Sequence, residues 1–477
     1  MITTLPEATP GEYEYAASPD IVAELDGIIA LRAVDPLFQP IVDISTGEPV
    51  AFEALSRGPA GSPLQQPNLM FAAARVAGRV DELDRLCRIR ALEAVVDSSL
   101  QTPYALFVNR EPSAVTADPT SAAQLMVLRR RGLRVVIELT ERDLSRDPAE
   151  LLAFAEQIRA AGMGIALDDV GVDADSLALM PFLMPDVIKL DMGLLHRSPD
   201  AATARVLSAV RAHTERRGAV VLAEGIETPE HERMAVGFGA TLGQGWLYGR
   251  PGPLPSASGR ERLPVPARPL VLRDPDDDPT SRSPFEMVCR TNTPLRSGVE
   301  LLFALRLELE TRVEAMDGLA VVLLSCIDAP HISCECAEHY TALAASARFA
   351  AALGAGMPDQ VVPGLRGSQL APDDPVSSEW DLVVVSPHFA AAIVARERFD
   401  AHPEEGRAFD YVLTYDRTLV VDVARTLMTR ALPLDGPDPA IEAVLAADGP
   451  EGPDPSLVPV FDRVTAMAFE TLGPSGD

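Results

Sequence analysis

The chain has 477 residues, 47% hydrophobic and 23% charged, which is room for two or three globular domains and too apolar for global disorder. Its formal net charge of −29 excludes attraction to bulk nucleic acid or to anionic membranes, so a phosphate ligand would need local metal ions or arginines. Five cysteines make no disulfide framework at this length, the N-terminus has neither region of a signal peptide, and no apolar run approaches the ~20 residues of a membrane span, so the expectation is a cytoplasmic protein.

Residues 1–20 read as a mobile tail. From 21 to 250, strand and helix patterns alternate. Strands are expected at Phe38–Asp43, Pro49–Leu55, Tyr104–Asn109, Arg134–Leu139, Gly164–Asp168, Val187–Leu190, Val220–Glu224 and near Ala240–Leu242. Helical patterns lie between them, as at Asp81–Val96, Pro148–Ala161, Ala202–Arg216 and Pro229–Val236. Eight strands interleaved with helices predict an α/β fold of the TIM-type (β/α)8 barrel class. The turn at Ser45–Glu48 is too short for a crossover helix, so the first strand is expected to run antiparallel.

Residues 251–284 hold nine prolines and the acidic run Asp274–Pro279, the composition of a semi-rigid linker. A smaller α/β domain is expected over 285–432. Its strands are read at Leu319–Ser325, Trp380–Ser386 and Tyr411–Thr414, and its helices at Ser297–Ala315, Ala337–Leu353, Ala390–Arg398 and Leu419–Ala431. Residues 433–477 form an acidic Pro/Gly-rich tail with one short apolar helix near Val464–Leu472. Within the second domain His331, Cys334, Cys336 and His339 lie close together. The C-x-C spacing is not that of a zinc site, and a buried thiol pair is the simpler reading.

Reactive residues of such a barrel sit at the C-terminal strand ends. Here those ends carry Glu53 and Arg57, Asn109, Glu138 and Glu141, Asp168 and Asp169, Lys189 and Asp191, Glu224, and Gln244. So many carboxylates at one mouth repel one another unless cations are present, and an oxygen-rich site of this kind suits Mg²⁺ or Mn²⁺. Lys189 is the single lysine among forty arginines. A lysine kept against that bias points to a property arginine lacks, a compact charge with a movable pKa. A structural ion pair with Asp191 is the alternative.

Residues of about 30–250 resemble the EAL-domain cyclic-di-GMP phosphodiesterases. The matching strings are Phe38–Ile41, Glu53–Arg57, Phe107–Asn109, Glu138–Glu141, Asp168–Asp169, Val187–Asp191, Ala223–Thr228 and Gln244–Gly249, in order and at barrel spacing. The resemblance implies two Mg²⁺ or Mn²⁺ ions per site, held by Glu53, Asn109, Glu138, Asp168, Asp169 and Glu224. It implies catalytic roles for Lys189, Glu53 and Glu224, with Lys189 on the attacking water. It implies substrate contacts from Gln39, Leu55, Arg57 and Gln244, and a loop anchor at Glu141. The substrate would be cyclic di-GMP, the product linear pGpG, and the assembly a homodimer through the barrel.

The chain departs from the family after Asp169. Val170, Asp173 and Ala174 stand where the family has Phe, Gly and an aromatic residue. Two functions therefore follow from the resemblance, a hydrolase or a receptor that binds cyclic di-GMP without cleaving it. The 285–432 segment resembles the DICT sensory domain, which implies regulation by a signal or partner that the sequence does not name.

Overall fold

A computed structural model describes residues 13, 15–98, 100, 103–110, 128, 131–139, 147–172, 175–254, 283–316, 318–328, 337–398 and 407–431. Tyr13 and Ala16 are already buried, against α1 (Pro19–Leu31) and its neighbours, so packing begins before residue 21. Strands β1 (Asp35–Asp43) and β2 (Glu48–Arg57) form an antiparallel hairpin. Helices α2 (Pro67–Val76) and α3 (Val80–Val96) follow.

Parallel β/α units then run in chain order. They are β3 (Ala105–Asn109), β4 (Arg134–Leu139) with α4 (Pro148–Ala160), β5 (Gly164–Val170) with α5 (Asp175–Leu183), and β6 (Val187–Leu190) with α6 (Met192–Leu195) and α7 (Ala201–Arg217). Last come β7 (Val220–Ala223), α8 (Pro229–Gly237) and β8 (Leu242–Gln244). Polar caps start the helices: Asp147, Asp200 and Thr228 accept the N–H of Glu150, Thr203 and His231. β8 pairs antiparallel with β1 and closes an eight-stranded barrel. The barrel and its antiparallel first strand are as the sequence implied.

The second domain holds α9 (Pro284–Cys289), β9 (Leu295–Gly298), α10 (Val299–Val313), β10 (Ala320–Asp328), α11 (Ala337–Ser346), β11 (Ala347–Ala355), β12 (Gln360–Val362) and β13 (Leu365–Gln369). After them come β14 (Glu379–Val385), β15 (Ala390–Arg398), β16 (Ala408–Thr414) and α12 (Arg417–Met428). Its eight strands lie in the order β12-β13-β11-β10-β14-β15-β16-β9. Helices α10 and α11 share an apolar core with one face of this sheet. Helices α9 and α12 share the core of the other face, which continues into the barrel.

Two expected helices are corrected here. Residues 347–353 and 390–398 are strands, β11 and β15, both interior to the sheet. Their alanine-rich runs favour helix locally. Burial on both faces between neighbouring strands overrides that preference, because small side chains suit a sheet covered on each side. The Ser386–Phe389 connection between two apolar runs is a hairpin signal.

Among the described residues, Cys87, Cys289 and Cys326 form no disulfide. His331, Cys334, Cys336 and the segment Val464–Leu472 lie outside the described residues, whereas His339 Nε2 lies 2.8 Å from Glu310 Oε2. Among the described residues, no helix is long and apolar enough to cross a membrane.

Candidate active site

The barrel lumen is built in layers. Side chains alternate across a strand, so residues two apart point the same way. An inner apolar layer contains Ala51, Phe107, Val136, Ala166, Val187, Leu222 and Leu242, with Ile41 from β1. Two residues further along each parallel strand stand Glu53, Asn109, Glu138, Asp168, Lys189, Glu224 and Gln244. On the antiparallel β1 the step reverses, and Gln39 stands two residues before Ile41. Strand polarity and a period of two thus bring all eight to one layer.

Lys189 lies at its centre, fully buried. Its Nζ is 2.7 Å from Glu138 Oε1, 2.8 Å from Glu224 Oε1, 3.0 Å from Asp168 Oδ1 and 3.7 Å from Glu53 Oε1. Glu53 also accepts from Gln244 Nε2 at 2.6 Å and from Asn109 Nδ2 at 3.2 Å. Gln39 donates to Gly249 O at 3.1 Å and accepts from Gln244 at 3.4 Å. Asp191 is not Lys189's partner: its Oδ1 caps α6 through Gly193 N at 2.7 Å.

The second acidic residue of β5 sits on a distortion. The β5–β6 register shifts between Leu167 and Val170, and Asp169 has φ 56°. Bulges and left-handed non-glycine residues next to a site are strained, by roughly 1–3 kcal/mol. The bulge keeps Asp168 inward while Asp169 N donates to its Oδ1 at 3.0 Å. Arg57 is half-buried and donates to Ser56 O at 2.8 Å, and Leu55 is buried. Glu141, Asp173 and Ala174 lie outside the described residues.

Four buried carboxylates against one ammonium leave excess negative charge. Burial pushes the Glu53, Glu138, Asp168 and Glu224 carboxyls up, Glu138 and Glu224 furthest. Burial would push the Lys189 ammonium down, but the carboxylates outweigh it, Asp168 most, and hold the pKa well above the usual lysine value.

Among the described residues, no three acidic, His or Cys side chains converge on a metal position as they stand; the carboxylates converge on Lys189. The residues nonetheless fit a divalent cation. Glu138 Oε2 and Asp168 Oδ2 are buried acceptors with no hydrogen-bond partner, and hard oxygen donors of this kind suit Mg²⁺ or Mn²⁺.

From sequence alone Gly245 has no role, yet it lies where the segments after β7 and β8 are stitched together. Ile226 N donates to Gln244 O and Leu247 N to Ile226 O, both at 3.0 Å. Gly245 lies between them at φ 156°, where a Cβ would come within 2.1 Å of Ile226 O. Its signal was the glycine in the Gln-Gly-Trp string. Gly245→Ala should cost about 2–4 kcal/mol and displace both Gln244 and Glu224. A thermal melt checks this, and an unchanged midpoint contradicts it. Trp246 stands at the rim with the Arg250 guanidinium 3.9 Å over its ring.

Residues 23–251 match the EAL domain family model, and residues 290–398 match DICT, the sensory domain in diguanylate cyclases and two-component system. The chain is 35% identical over 123 residues to the bifunctional diguanylate cyclase/cyclic di-GMP phosphodiesterase MucR of Pseudomonas aeruginosa, covering 25% of this chain and 18% of that one. It is 29% identical over 233 residues to the probable cyclic di-GMP phosphodiesterase PdeB of Escherichia coli, covering 47% and 44%. A solved Klebsiella pneumoniae BlrP1 manganese/cyclic-di-GMP complex aligns at 30% identity and a TM-score of 0.41, covering 46% of this chain and 56% of that one. The chain spans less than half the length of these two curated relatives. The lumenal layer carries the strings of one family, and every strand of the second sheet but β16 lies within the match to another: residues 23–251 are an EAL domain and residues 290–398 a DICT domain.

Proposed function

We propose that the barrel hydrolyses cyclic di-GMP to linear pGpG with bound Mg²⁺ or Mn²⁺, and that the DICT domain regulates it. The observation that carries this reading is the buried ring of Glu53, Glu138, Asp168 and Glu224 around Lys189, whose charge and orphaned acceptors call for divalent cations. The EAL membership and the names of the curated relatives support the substrate.

Glu53, Asn109, Glu138, Asp168, Asp169 and Glu224 would hold two ions, which when bound polarise the phosphodiester and lower the pKa of a water. Asn109 and Gln244 orient Glu53 through their hydrogen bonds. Lys189, protonated by its neighbours, holds the attacking water in line and is a proton acceptor only after those carboxylates are neutralised. Arg57, at the rim of β2, takes a substrate phosphate, while Gln39 and Leu55 line the approach. Asp169, half-buried on its bulge, would help to hold the second ion. The resemblance gives Glu141, outside the described residues, the part of a loop anchor.

A second reading rests on Val170. It is the fully buried last residue of β5, paired with Leu190 of β6, and stands where the family has Phe. A binding-only receptor would follow if that difference mispositions Asp169. Incubation of the full chain with cyclic di-GMP and Mg²⁺ or Mn²⁺, followed by chromatography, separates the two. Metal-dependent appearance of pGpG is expected. Retained nucleotide binding with no product would favour the receptor.

A further inference from the structure

Helix α12 packs on α5 and α4 of the barrel, and a single apolar core runs through both domains there. Arg425 fastens this contact. It is 4% exposed, its Nη2 donates to Glu156 Oε1 of α4 at 2.9 Å, and its Nη1 lies 3.8 Å from Met184 Sδ just past α5. Arg159 of α4 in turn donates to the Leu183 and Met184 carbonyls, which ends α5. Two further ties join the domains: Arg216 Nη1 donates to Pro387 O at 3.0 Å, and Ser208 Oγ lies 3.3 Å from His388 Nε2.

The barrel end of this contact leads to the carboxylate ring. α5 packs directly on β5, the strand that carries Asp168 and Asp169. β5 is strained where they stand, with Asp169 at φ 56°. Such a residue keeps its conformation only while its surroundings over-determine it. Val170 is fully buried, and Gly171 lies close against the Leu194 side chain of α6, where a Cβ would come within 2.6 Å of it. α4 and α5 both pack on β5 between its strand neighbours β4 and β6, and α12 backs both helices. α12 lies beyond the 290–398 span of the DICT match, so the docking element is separate from the matched sensory part.

We propose that Arg425 is a positioning residue for the barrel's carboxylate ring: by locking α12 onto α4 and α5, it holds β5 and the Asp168–Asp169 pair in place. The inference deepens the functional reading above, since it names the route by which the second domain reaches the site. A signal that loosens α12 would lower metal occupancy without touching a metal ligand.

The test uses the full chain, as wild type, Arg425→Glu, the milder Arg425→Gln, and the swap Arg425→Glu/Glu156→Arg. Hydrogen exchange is read on peptides covering residues 164–183, and Mn²⁺ binding by calorimetry. In both single variants, exchange in 175–183 should rise, at least tenfold for Arg425→Glu, and the Mn²⁺ midpoint should rise at least fivefold. The swap should bring both back to within about twofold, which a general loss of stability would not do. Unchanged exchange, or raised exchange with an unchanged midpoint, overturns the inference. A wild type that takes no Mn²⁺ overturns the functional reading instead, and the exchange arm alone then decides whether α12 holds α5 and β5.

Discussion

Replacing Lys189 by methionine should lower the stability of the metal-free protein by about 3–5 kcal/mol, because it removes the one cation among four buried carboxylates. For a barrel of this size that is a drop in Tm on the order of 10 °C. The loss should shrink on acidification, as protons replace the missing charge, and Mn²⁺ should reverse it. Lys189→Arg tests a different property. Arginine keeps the charge but spreads it over a planar fork, in a site with no exposed surface. Turnover should fall about 10²–10³-fold while Mn²⁺ binding is retained. Thermal melts with and without Mn²⁺, beside a turnover assay, check both substitutions. A fully active Lys189→Arg would show that the compact ammonium has no catalytic part.

Glu138→Gln should move stability and function in opposite directions. Burial and the neighbouring Glu53 hold the Glu138 carboxyl well above the ordinary carboxylate range, and its Oε2 lacks a partner. A carboxyl whose folded pKa is raised binds more protons in the native state than in the unfolded one. Stability therefore falls as pH rises from the ordinary carboxylate range through the raised folded value. Glutamine removes that loss. The metal-free variant should be as stable as wild type or more so at pH 8, with a flatter pH profile. Metal affinity should fall at least about 10²-fold and turnover about 10³-fold, since a ligand has been removed. Denaturant melts from pH 5 to 8 and Mn²⁺ titration decide it. A destabilised variant with unchanged metal affinity would mean that Glu138 is only Lys189's ion-pair partner.

The lumenal layer was legible in the sequence because it obeys one rule. Each parallel strand carries an apolar lumenal residue and, two positions on, a polar one, as in Val136 and Glu138 or Val187 and Lys189. The reversed order in β1, Gln39 before Ile41, follows from its short turn to β2. β10, β14 and β16 of the second domain were legible, but two other interior strands were not, since Ala347–Ala355 and Ala390–Arg398 have the composition of helices and become strands only through their neighbours. Two features leave no local pattern. The Arg425–Glu156 pair joins residues 269 apart in the chain, and the left-handed Asp169 arises from a shift in pairing between β5 and β6.

Calorimetric titration of the full chain with Mn²⁺ tests the central claim most directly, because the ring's excess charge, its raised carboxyls and its orphaned acceptors all point to divalent cations. Two ions per chain are expected, with protons released as the raised carboxyls are deprotonated and a Tm that rises with Mn²⁺ concentration. A folded protein that binds no Mn²⁺ or Mg²⁺, and whose Tm neither ion moves, would contradict the claim and leave Lys189 as the ring's own permanent counter-ion.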